Sequence, residues 1–390
     1  MHRSKRIALI YHGGHYPIVP SLIAMVNTLT ENNYEIDVFC CKDRSLTIPI
    51  FNSLVTEYFL DQPYNIGTIK WKANYMFNWL PKILLQCSKR KYNLLIGVDP
   101  WGLVLAGITG KLLNIPYGYF SLELYFHDEL HSPYLKILKK LESYFNKKSL
   151  FTISQDADRG ELLRKENKLG EKAVIVSLPN AADGEAVIER TQYLREKFGI
   201  PGGTPIILQA GLISYVNKQL EIAKAFRGSK LDCALIFHSP KKIVDNDDYA
   251  RELLNEIDNK RIFLNIESLP DSEYGQKIIK SADIGLALYD AQGLNVYTMG
   301  LSSGKIAKYL QCGIPVITSD FPTLKKWIEE FKCGETISEI NQLGSAINKI
   351  ILEYSEYSKR AIECFNKKYH FRKHFKNVLN YLNIACDDKD

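Results

Sequence analysis

Residues 6–15 read RIALIYHGGH, an uninterrupted apolar run that ends at two glycines flanked by histidines. A short apolar run of this kind predicts a central parallel strand that is buried on both faces. A helical pattern of apolar residues follows from Ser21, and a second apolar run occupies Glu35–Cys41. Strand, glycine turn, helix and strand form a βαβ unit, which predicts a parallel sheet and an α/β fold.

The same alternation continues in two series along the 390 residues, a length that suits two domains. The first series predicts further strands over 92–98, 116–122, 150–154 and 173–178. After a turn-rich break, the second series predicts strands over 205–210, 233–238, 262–266, 284–288 and 315–318. We therefore expect doubly wound, Rossmann-like domains over residues 1–183 and 203–365 and a helical tail over 366–390, with ligands in the cleft that the two domains face across.

The composition excludes several classes of protein. A net charge of +6 is too small for a dedicated nucleic-acid binder. The eight cysteines include no CxxC pair, so we expect reduced core thiols in a cytoplasmic protein. No segment has the roughly 18 uninterrupted apolar residues of a membrane span. Residues 70–150 hold 12 Lys/Arg against 5 Asp/Glu, which favours an anionic partner.

One segment predicts an anion-binding site. Residues 302–317 read SSGKIAKYLQCGIPVI, in which small residues precede a helix. Free N–H groups and the positive end of the helix dipole would then lie beside Ser302, Ser303 and Gly304, where they suit a diphosphate. Lys305 adds a cation. The alternative is a well-capped structural helix, since serine is a good N-cap residue in any protein.

Six segments match, in the same order, the motifs of a known enzyme family. They are Gly13-Gly14, Ser154 with Arg159 and Leu162-Leu163, Pro179-Asn180-Ala181, Gly211 with Lys218, Ala282 to Leu286, and Lys305 to Ile317. With these segments, most of the chain resembles glycosyltransferase family 4 and its GT-B relatives. The resemblance implies a GT-B fold whose final helix crosses back to the N-terminal domain. It also implies sugar transfer from a nucleotide donor, usually with retention and without a bound metal.

For the donor, the resemblance implies a basic pair after the first strand of the C-terminal domain. Lys218 follows Gly211 by seven residues, at the position of the family lysine, whereas Leu212 falls where many members have the partner arginine. A solvated loop lysine is the alternative. Asn295 is a further candidate for donor binding, and a turn asparagine is an equally good interpretation.

The chain departs from the family at two positions that usually hold glutamates, one of which binds the ribose. These positions fall on Gly300 and Lys308. Ribose recognition must therefore differ, or the donor differs, or activity is lost. Ser302, Ser303 and Gly304 would compensate through backbone and hydroxyl contacts.

Two acids are candidate catalytic residues in the N-terminal domain. Glu123 follows the strand predicted over 116–122, near the position where the resemblance places a histidine or an acid. It would act as a base toward the acceptor hydroxyl or stabilise oxocarbenium charge. The alternative is a buried carboxylate paired with a basic residue. Asp99 ends another strand at the same sheet edge and ranks second, because strand-end acids often cap the next turn.

Four further residues are expected on the acceptor side. Gly13 and Gly14 let the backbone approach a ligand closely, and His15 flanks them. His127 follows Glu123 on the same rim. A glycine turn is needed structurally in any case, so both interpretations stay open.

We expect no metal and no cofactor. His370 and His374 are four residues apart in a helical pattern, but a metal site would need a third ligand and less positive charge nearby. Residues 70–91 combine Trp71, Phe77 and Trp79 with basic residues and fit an interfacial amphipathic helix, and residues 135–148 have the same character. The alternative is a packed helix with a solvated basic face.

Together these features predict a hexosyltransferase-like glycosyltransferase that uses a nucleotide-sugar as substrate. The acceptor would be a saccharide or a lipid-linked sugar, as in surface polysaccharide or glycolipid synthesis. The protein would be cytoplasmic, with peripheral contact at the inner face of the membrane. Two alternatives stay open: a GT-B-fold nucleotide-sugar epimerase, and a catalytically silent GT-B scaffold that binds a sugar or a partner enzyme.

Overall fold

The computed structural model describes residues 5–61, 68–242 and 247–387. The chain forms two compact units, each built on its own parallel sheet. Unit 1 takes in the chain up to Arg44, Ile50–Pro179 and the chain from Phe371 onward, and unit 2 comprises Ser45–Pro49 and Asn180–His370. The α/β class with two parallel, doubly wound sheets is confirmed.

Unit 1 contains a seven-stranded parallel sheet. Its strands are β1 (Arg6–Tyr11), β2 (Glu35–Cys41), β3 (Val55–Leu60), β4 (Leu94–Val98), β5 (Tyr117–Phe120), β6 (Thr152–Ser154) and β7 (Ile175–Ser177). The order in the sheet is β3-β2-β1-β4-β5-β6-β7. Nearly every residue of β1 and β2 is buried, which is why each strand appears in the sequence as an apolar run. The sequence patterns do not predict β3, because this edge strand is only half-buried and mixes polar with apolar residues.

Helices connect these strands. They are α1 (Pro20–Glu31), α2 (Ile69–Asn74), α3 (Leu80–Lys89), α4 (Asp99–Leu113), α5 (Pro133–Asn146) and α6 (Ala157–Glu166). The strand order reverses between β1 and β4, and α4 begins at this place. A Cβ on Gly102 of α4 would lie 2.2 Å from the carbonyl oxygen of Ile10. Glycine is therefore required there, and it lets α4 begin directly at the carboxyl edge between β1 and β4.

Unit 2 contains a six-stranded parallel sheet. Its strands are β8 (Ile206–Ala210), β9 (Ala234–Ser239), β10 (Ile262–Ile266), β11 (Ile284–Ala287), β12 (Val316–Ser319) and β13 (Gly334–Ile337). Their order is β10-β9-β8-β11-β12-β13, so the order reverses between β8 and β11. The edge strand β13 is a second strand that the sequence patterns do not predict, since it is short and half-buried.

One helix of unit 2 is fixed to the sheet by a tyrosine. The helices are α7 (Tyr193–Phe198), α8 (Gln219–Arg227), α9 (Asp248–Glu256), α10 (Asp271–Lys277), α11 (Gly293–Tyr297), α12 (Gly304–Gln311), α13 (Pro322–Phe331), α14 (Leu343–Leu352) and α15 (Tyr354–Cys364). The Tyr309 hydroxyl of α12 donates to the Leu208 carbonyl at 2.9 Å and accepts from the Ala210 N–H at 3.0 Å. A Cβ on Gly285 would lie 2.4 Å from the Tyr309 ring, so glycine is needed beside it.

The chain joins unit 2 at Asn180, somewhat before the predicted boundary at 183. The Asn180 N–H donates to the Leu301 carbonyl at 3.0 Å, and its side chain donates to the Ser302 carbonyl at 3.1 Å. Arg190, in the predicted linker, donates to the Cys312 carbonyl at 2.8 Å. These bonds attach the segment after residue 180 to unit 2.

The C-terminal helix α16 (Phe371–Asp387) belongs to unit 1, where it packs against α1, β4 and β7. It begins at residue 371 rather than 366, so His370 precedes it and does not share a continuous helix with His374. Within the described ranges, no three His, Cys, Asp or Glu side chains are grouped as a metal site would require. None of the described helices is long and apolar enough to span a membrane.

Candidate functional site

In unit 2, the loops after β8 and β11 meet where the strand order reverses, which is the position at which doubly wound sheets bind ligands. The first loop begins at Gly211, whose φ of 134° favours glycine. A Cβ on Gly211 would lie 3.2 Å from Nζ of Lys305. The two loops are also joined by a hydrogen bond of 2.8 Å from the Asp290 N–H to the Val216 carbonyl. Gly211 and Lys305 are therefore neighbours at this edge.

Lys305 stands in the first turn of α12 among uncharged groups. Its Nζ donates to Oδ1 of Asn217 at 3.0 Å and lies 4.8 Å from the centre of the Tyr289 ring. Burial lowers the pKa of Lys305 to about 7, because the ammonium group loses hydration there. Within the described part of the chain no carboxylate pairs with it. An anionic ligand would supply the missing countercharge.

The N-terminus of α12 is open to a ligand. Ser303 is the N-cap residue, but its side chain does not cap the helix. Its hydroxyl is hydrogen-bonded to the Tyr289 hydroxyl at 2.9 Å instead. Since the Ala307 N–H makes the first bond into the helix, to the Ser303 carbonyl, the N–H groups of Gly304 and the next two residues have no acceptor within α12. Together with the helix dipole, these groups can bind an anion.

The other predicted donor residues lie at the same edge of unit 2. Nζ of Lys218 is 3.6 Å from Oδ1 of Asp290, and a third of the lysine side chain is exposed. The Ser302 hydroxyl donates to the carbonyl of the preceding turn at 2.7 Å. Asn295 lies on the short helix α11 rather than in a turn, and its side chain is half-buried.

Sequence reasoning did not identify Asn217 and Tyr289, which hold Lys305 and Ser303. Tyr289 lies two residues after the end of β11, and this place just beyond a strand end is the signal that could have found it. Asn217 carries no such signal, because its contact with Lys305 joins residues 88 positions apart.

In unit 1, Asp99 and Glu123 lie at the carboxyl edge next to the reversal of strand order. Oδ1 of Asp99 accepts from the Leu122 N–H at 2.9 Å and from the Glu123 N–H at 3.0 Å. Burial, followed by the negative charge of Glu123, raises the pKa of Asp99 to about 7. The Glu123 side chain is exposed rather than buried. Its negative charge acts on the buried Arg159, so pairing with a basic residue stays an open alternative.

The turn after β1 brings two more polar groups to this edge. A Cβ on Gly13 would lie 2.7 Å from the Tyr11 ring, so any larger residue there would have to displace that ring. Nδ1 of His12 is buried and has no hydrogen-bond partner among the described residues. Burial lowers the pKa of His12 to about 4, so the ring is neutral at pH 7. Among the histidines of this turn, sequence reasoning favoured His15 over this buried neighbour.

The remaining acceptor-side residues are less enclosed. A Cβ on Gly14 would lie 3.0 Å from Cβ of Asp43, and Nδ1 of the exposed His15 lies 3.9 Å from the Asp43 carboxylate. His127 is also exposed, and its N–H donates to Oε1 of Glu166 at 2.6 Å. Neither of these contacts joins His15 or His127 to Asp99.

The two basic segments differ in their exposure. Trp79 is fully buried in the core of unit 1, as the packed-helix alternative expects, whereas Phe77 is 82% exposed and the side chain of Trp71 lies outside the described residues. Seven residues on α5 and directly after its end are exposed, and we call them the α5 face: Lys136, Ile137, Lys140, Leu141, Tyr144, Lys147 and Lys148. A groove of about 570 Å³ runs beside it, and its lining combines five lysines with the acids Asp128 and Glu166.

Comparison with known proteins gives one partial match to a family model and matches to solved structures over nearly the whole chain. Residues 265–382 match the family model described as glucosyltransferase 3-like, C-terminal domain. No curated protein matches the chain. Among solved structures, HepE from Anabaena, in complex with UDP and glucose, is 13% identical with a TM-score of 0.72, over 97% of this chain and 99% of that one.

Two more structures extend the comparison. Sucrose-phosphate synthase from Thermosynechococcus elongatus is 15% identical with a TM-score of 0.70, over 98% of this chain and all of that one. A putative UDP-N-acetylglucosamine 2-epimerase from Listeria monocytogenes is 12% identical with a TM-score of 0.64, over all of this chain and 98% of that one. The chain has the GT-B fold. The solved structures show the fold, and the match of residues 265–382 to a glucosyltransferase 3-like domain is the finding that points to a glycosyltransferase.

The raised pKa of Asp99 predicts how stability depends on pH. The folded state binds this proton with a pKa of about 7, against 3.8 for an ordinary aspartate. A carboxyl whose pKa is raised on folding destabilises the fold increasingly as pH rises from about 4 to about 7, and no further above it. The free energy of unfolding of Asp99→Asn, relative to that of the parent, should therefore increase by about 1–3 kcal/mol when the pH is raised from 5 to 8.

Urea unfolding of the parent and the variant at both pH values measures this difference. Asp128→Asn is the matched control, since the Asp128 side chain is fully exposed and its removal should give the same small difference at both pH values. If the difference in unfolding free energy between Asp99→Asn and the parent did not change with pH, the raised pKa of Asp99 would be contradicted.

Proposed function

We propose that the protein transfers a sugar from a nucleotide-sugar to an acceptor hydroxyl, with the donor bound by unit 2 and the acceptor by unit 1. The observation that carries this proposal is the unit 2 site, where Gly211, Lys305 and the open N-terminus of α12 lie together at the reversal of strand order. A diphosphate would accept from the N–H groups of α12 and neutralise Lys305. The structure of HepE holds UDP and glucose, so uridine nucleotides are the first donors to test.

In this proposal the protein itself supplies the positive charge that a departing nucleoside diphosphate needs. Lys218, Lys305 and the helix dipole provide it, so transfer needs no metal ion or cofactor. Glu123 would accept the proton of the attacking hydroxyl or stabilise charge on the sugar. Asp99 positions the backbone of Glu123 through its two hydrogen bonds. We propose retention of configuration, and a role in surface polysaccharide or glycolipid synthesis.

An assay of nucleotide-sugars separates this function from its two alternatives. The protein is incubated with UDP-glucose, UDP-N-acetylglucosamine and other nucleotide-sugars, with and without saccharide and lipid-linked acceptors. A transferase releases nucleoside diphosphate faster with an acceptor. An epimerase, the alternative that the Listeria neighbour favours, changes the sugar without needing an acceptor. A silent scaffold does neither.

The transferase proposal predicts that Glu123→Gln lowers turnover by roughly a hundredfold or more, because the amide cannot accept the proton. Affinity for the donor should change little, since the substitution keeps the size of the side chain. Steady-state kinetics and calorimetry measure the two quantities. Glu129→Gln, an exposed acid near the same rim, is the control and should keep parental turnover. Near-parental turnover of Glu123→Gln would assign the proton transfer to another group.

The donor site predicts a specific dependence of affinity on charge and pH. Lys218→Ala and Lys305→Ala should each weaken nucleoside diphosphate binding by about 1.5–3 kcal/mol, the range for hydrogen bonds to charged groups. Because Lys305 has a pKa of about 7 in the free protein, binding must restore its proton above that pH. Parental affinity should therefore fall between pH 7.5 and pH 9, and Lys305→Ala should remove most of that fall.

Isothermal titration calorimetry with UDP measures both effects. Lys224→Ala, on the exposed surface of α8, is the control and should bind like the parent at each pH. Parental affinity of the two site variants would place the donor site elsewhere.

We propose further that the α5 face contacts anionic lipid, which would bring a lipid-linked acceptor to unit 1. Lysines and apolar side chains alternate along one exposed side of α5, as in helices that lie at a bilayer surface. All eight cysteines, each within the described ranges, are free thiols, which suits a cytoplasmic protein at the inner face of a membrane.

This contact predicts binding to vesicles of phosphatidylcholine and phosphatidylglycerol that rises with the phosphatidylglycerol content and falls with salt. Lys136→Glu combined with Lys140→Glu should reduce binding strongly. Lys230→Glu with Lys260→Glu changes the charge equally on exposed loops of unit 2 and should leave binding intact. Sedimentation of vesicles measures it. Binding to an anionic saccharide but not to vesicles would assign the α5 face to the saccharide and contradict the membrane contact.

A further inference from the structure

We infer that the Asp271 carboxylate binds the ribose hydroxyls of the donor and that Lys308 positions it. This inference rests on the proposed function, because it concerns the nucleotide held by unit 2. The juxtaposition that carries it is a buried lysine on α12, the helix of the proposed phosphate site, bonded to a half-buried acid at the carboxyl edge of the same sheet.

The position suits a ribose. Lys308 follows Gly304 by four residues, so it lies roughly 6 Å along α12 from the helix N-terminus. Asp271 is the first residue of α10, which follows the carboxyl end of β10. In a nucleoside diphosphate the ribose is joined directly to the diphosphate. A diphosphate on the first turn of α12 would therefore place its ribose close to the next polar group along that helix.

The contact fixes the carboxylate and leaves part of it free. Nζ of Lys308 donates to Oδ2 of Asp271 at 2.8 Å, and only 7% of the lysine side chain is exposed. A lysine this buried needs a charged partner, so the carboxylate is firmly held. Among the described residues Lys308 is the partner of Asp271, and Oδ1 accepts no hydrogen bond. With 23% of its side chain exposed, Asp271 can accept from the two hydroxyls of a ribose.

The other acids at this edge are engaged by surrounding cations or hydroxyls. Asp290 pairs with Lys218, Asp320 pairs with Lys325, and Glu267 accepts from Tyr193 and Lys197. Doubly wound nucleotide-binding domains commonly hold the ribose with an acid at a strand end. Asp271 stands at the start of α10, five residues after the end of β10, and it is the acid at this edge whose partner comes from α12 itself.

The same contact accounts for the lysine at position 308. The resemblance expects glutamates at the positions of Gly300 and Lys308. Gly300 is buried, and its N–H donates to Oγ1 of Thr323 at 3.2 Å. Lys308 cannot accept a hydrogen bond from a hydroxyl, but it holds Asp271, which can. The negative charge at this place comes from α10 instead of α12.

The test compares a ribonucleoside diphosphate with its 2′,3′-dideoxy analogue, which lacks the two hydroxyls. Calorimetry first finds which of UDP, GDP and ADP the parent binds. The parent should bind that ribonucleotide roughly 10- to 100-fold more tightly than the dideoxy form, because a bond to a charged acceptor is lost. Asp271→Asn should bind both forms about as the parent binds the dideoxy form.

Variants at Lys308 separate positioning from simple structural support. Lys308→Met should lose most of the preference for the ribonucleotide, and Lys308→Arg should restore it, since arginine keeps the pair with Asp271. Glu273→Gln on the exposed side of α10 is the matched control and should keep the parental preference. If Asp271→Asn folds poorly, the double variant Asp271→Asn with Lys308→Met removes both charges together and should show the same loss.

The possible results distinguish this inference from the proposed function. An Asp271→Asn protein, or the double variant, that kept the full preference for the ribonucleotide would overturn the inference and leave the proposed function standing. A loss of affinity equal for both ligands would make the pair purely structural and would also overturn it. A parent that bound none of the nucleotides would overturn both.

Discussion

The candidate donor site depends on one hydroxyl group. Strands β8 and β11 pair only at Ile207–Ile284 and Leu208–Gly285 within the described register, although β8 continues to Ala210 beside β9 and β11 continues to Ala287 beside β12. The Tyr309 hydroxyl bonds both backbone groups that β8 presents there, the Leu208 carbonyl and the Ala210 N–H. Buried backbone groups must be satisfied, so this bond completes the sheet and at the same time fixes α12 against it.

The position of α12 then determines the chemistry of unit 2. Because Tyr309 fixes the helix, its N-terminus lies beside Gly211 and Tyr289, and Lys305 is enclosed between the two loops. The Ser303 hydroxyl is held by Tyr289, so it does not compete for the first N–H groups of the helix. The result is a site with a positive helix end and a desolvated ammonium group, which favours a bound anion electrostatically.

In unit 1, acidic rather than basic side chains lie at the carboxyl edge of the sheet, next to the reversal of strand order. There a close contact between Gly102 and the carbonyl of Ile10 lets α4 start at the edge, and Asp99 begins the helix in a left-handed conformation with φ of 58°. Its carboxylate binds two N–H groups of the segment that carries Glu123. One unit therefore gathers cations and a helix N-terminus at its sheet edge, and the other gathers carboxylates, as the proposed transfer requires.

The sequence alone determined the strands that are buried on both faces and the glycine and serine pattern before α12, because these signals are local to the chain. Strand β10 occupies 262–266 as its apolar run predicts. The edge strands β3 and β13 were not predicted, because they are only half-buried and lack such a run. Only the tertiary structure decided which side chains meet. Asn217 reaches Lys305 across 88 residues and Asp271 reaches Lys308 across 37, through the order of strands in the sheet. Hydrophobic periodicity reports burial but does not encode that order, so the partners of the two lysines could not be predicted from it.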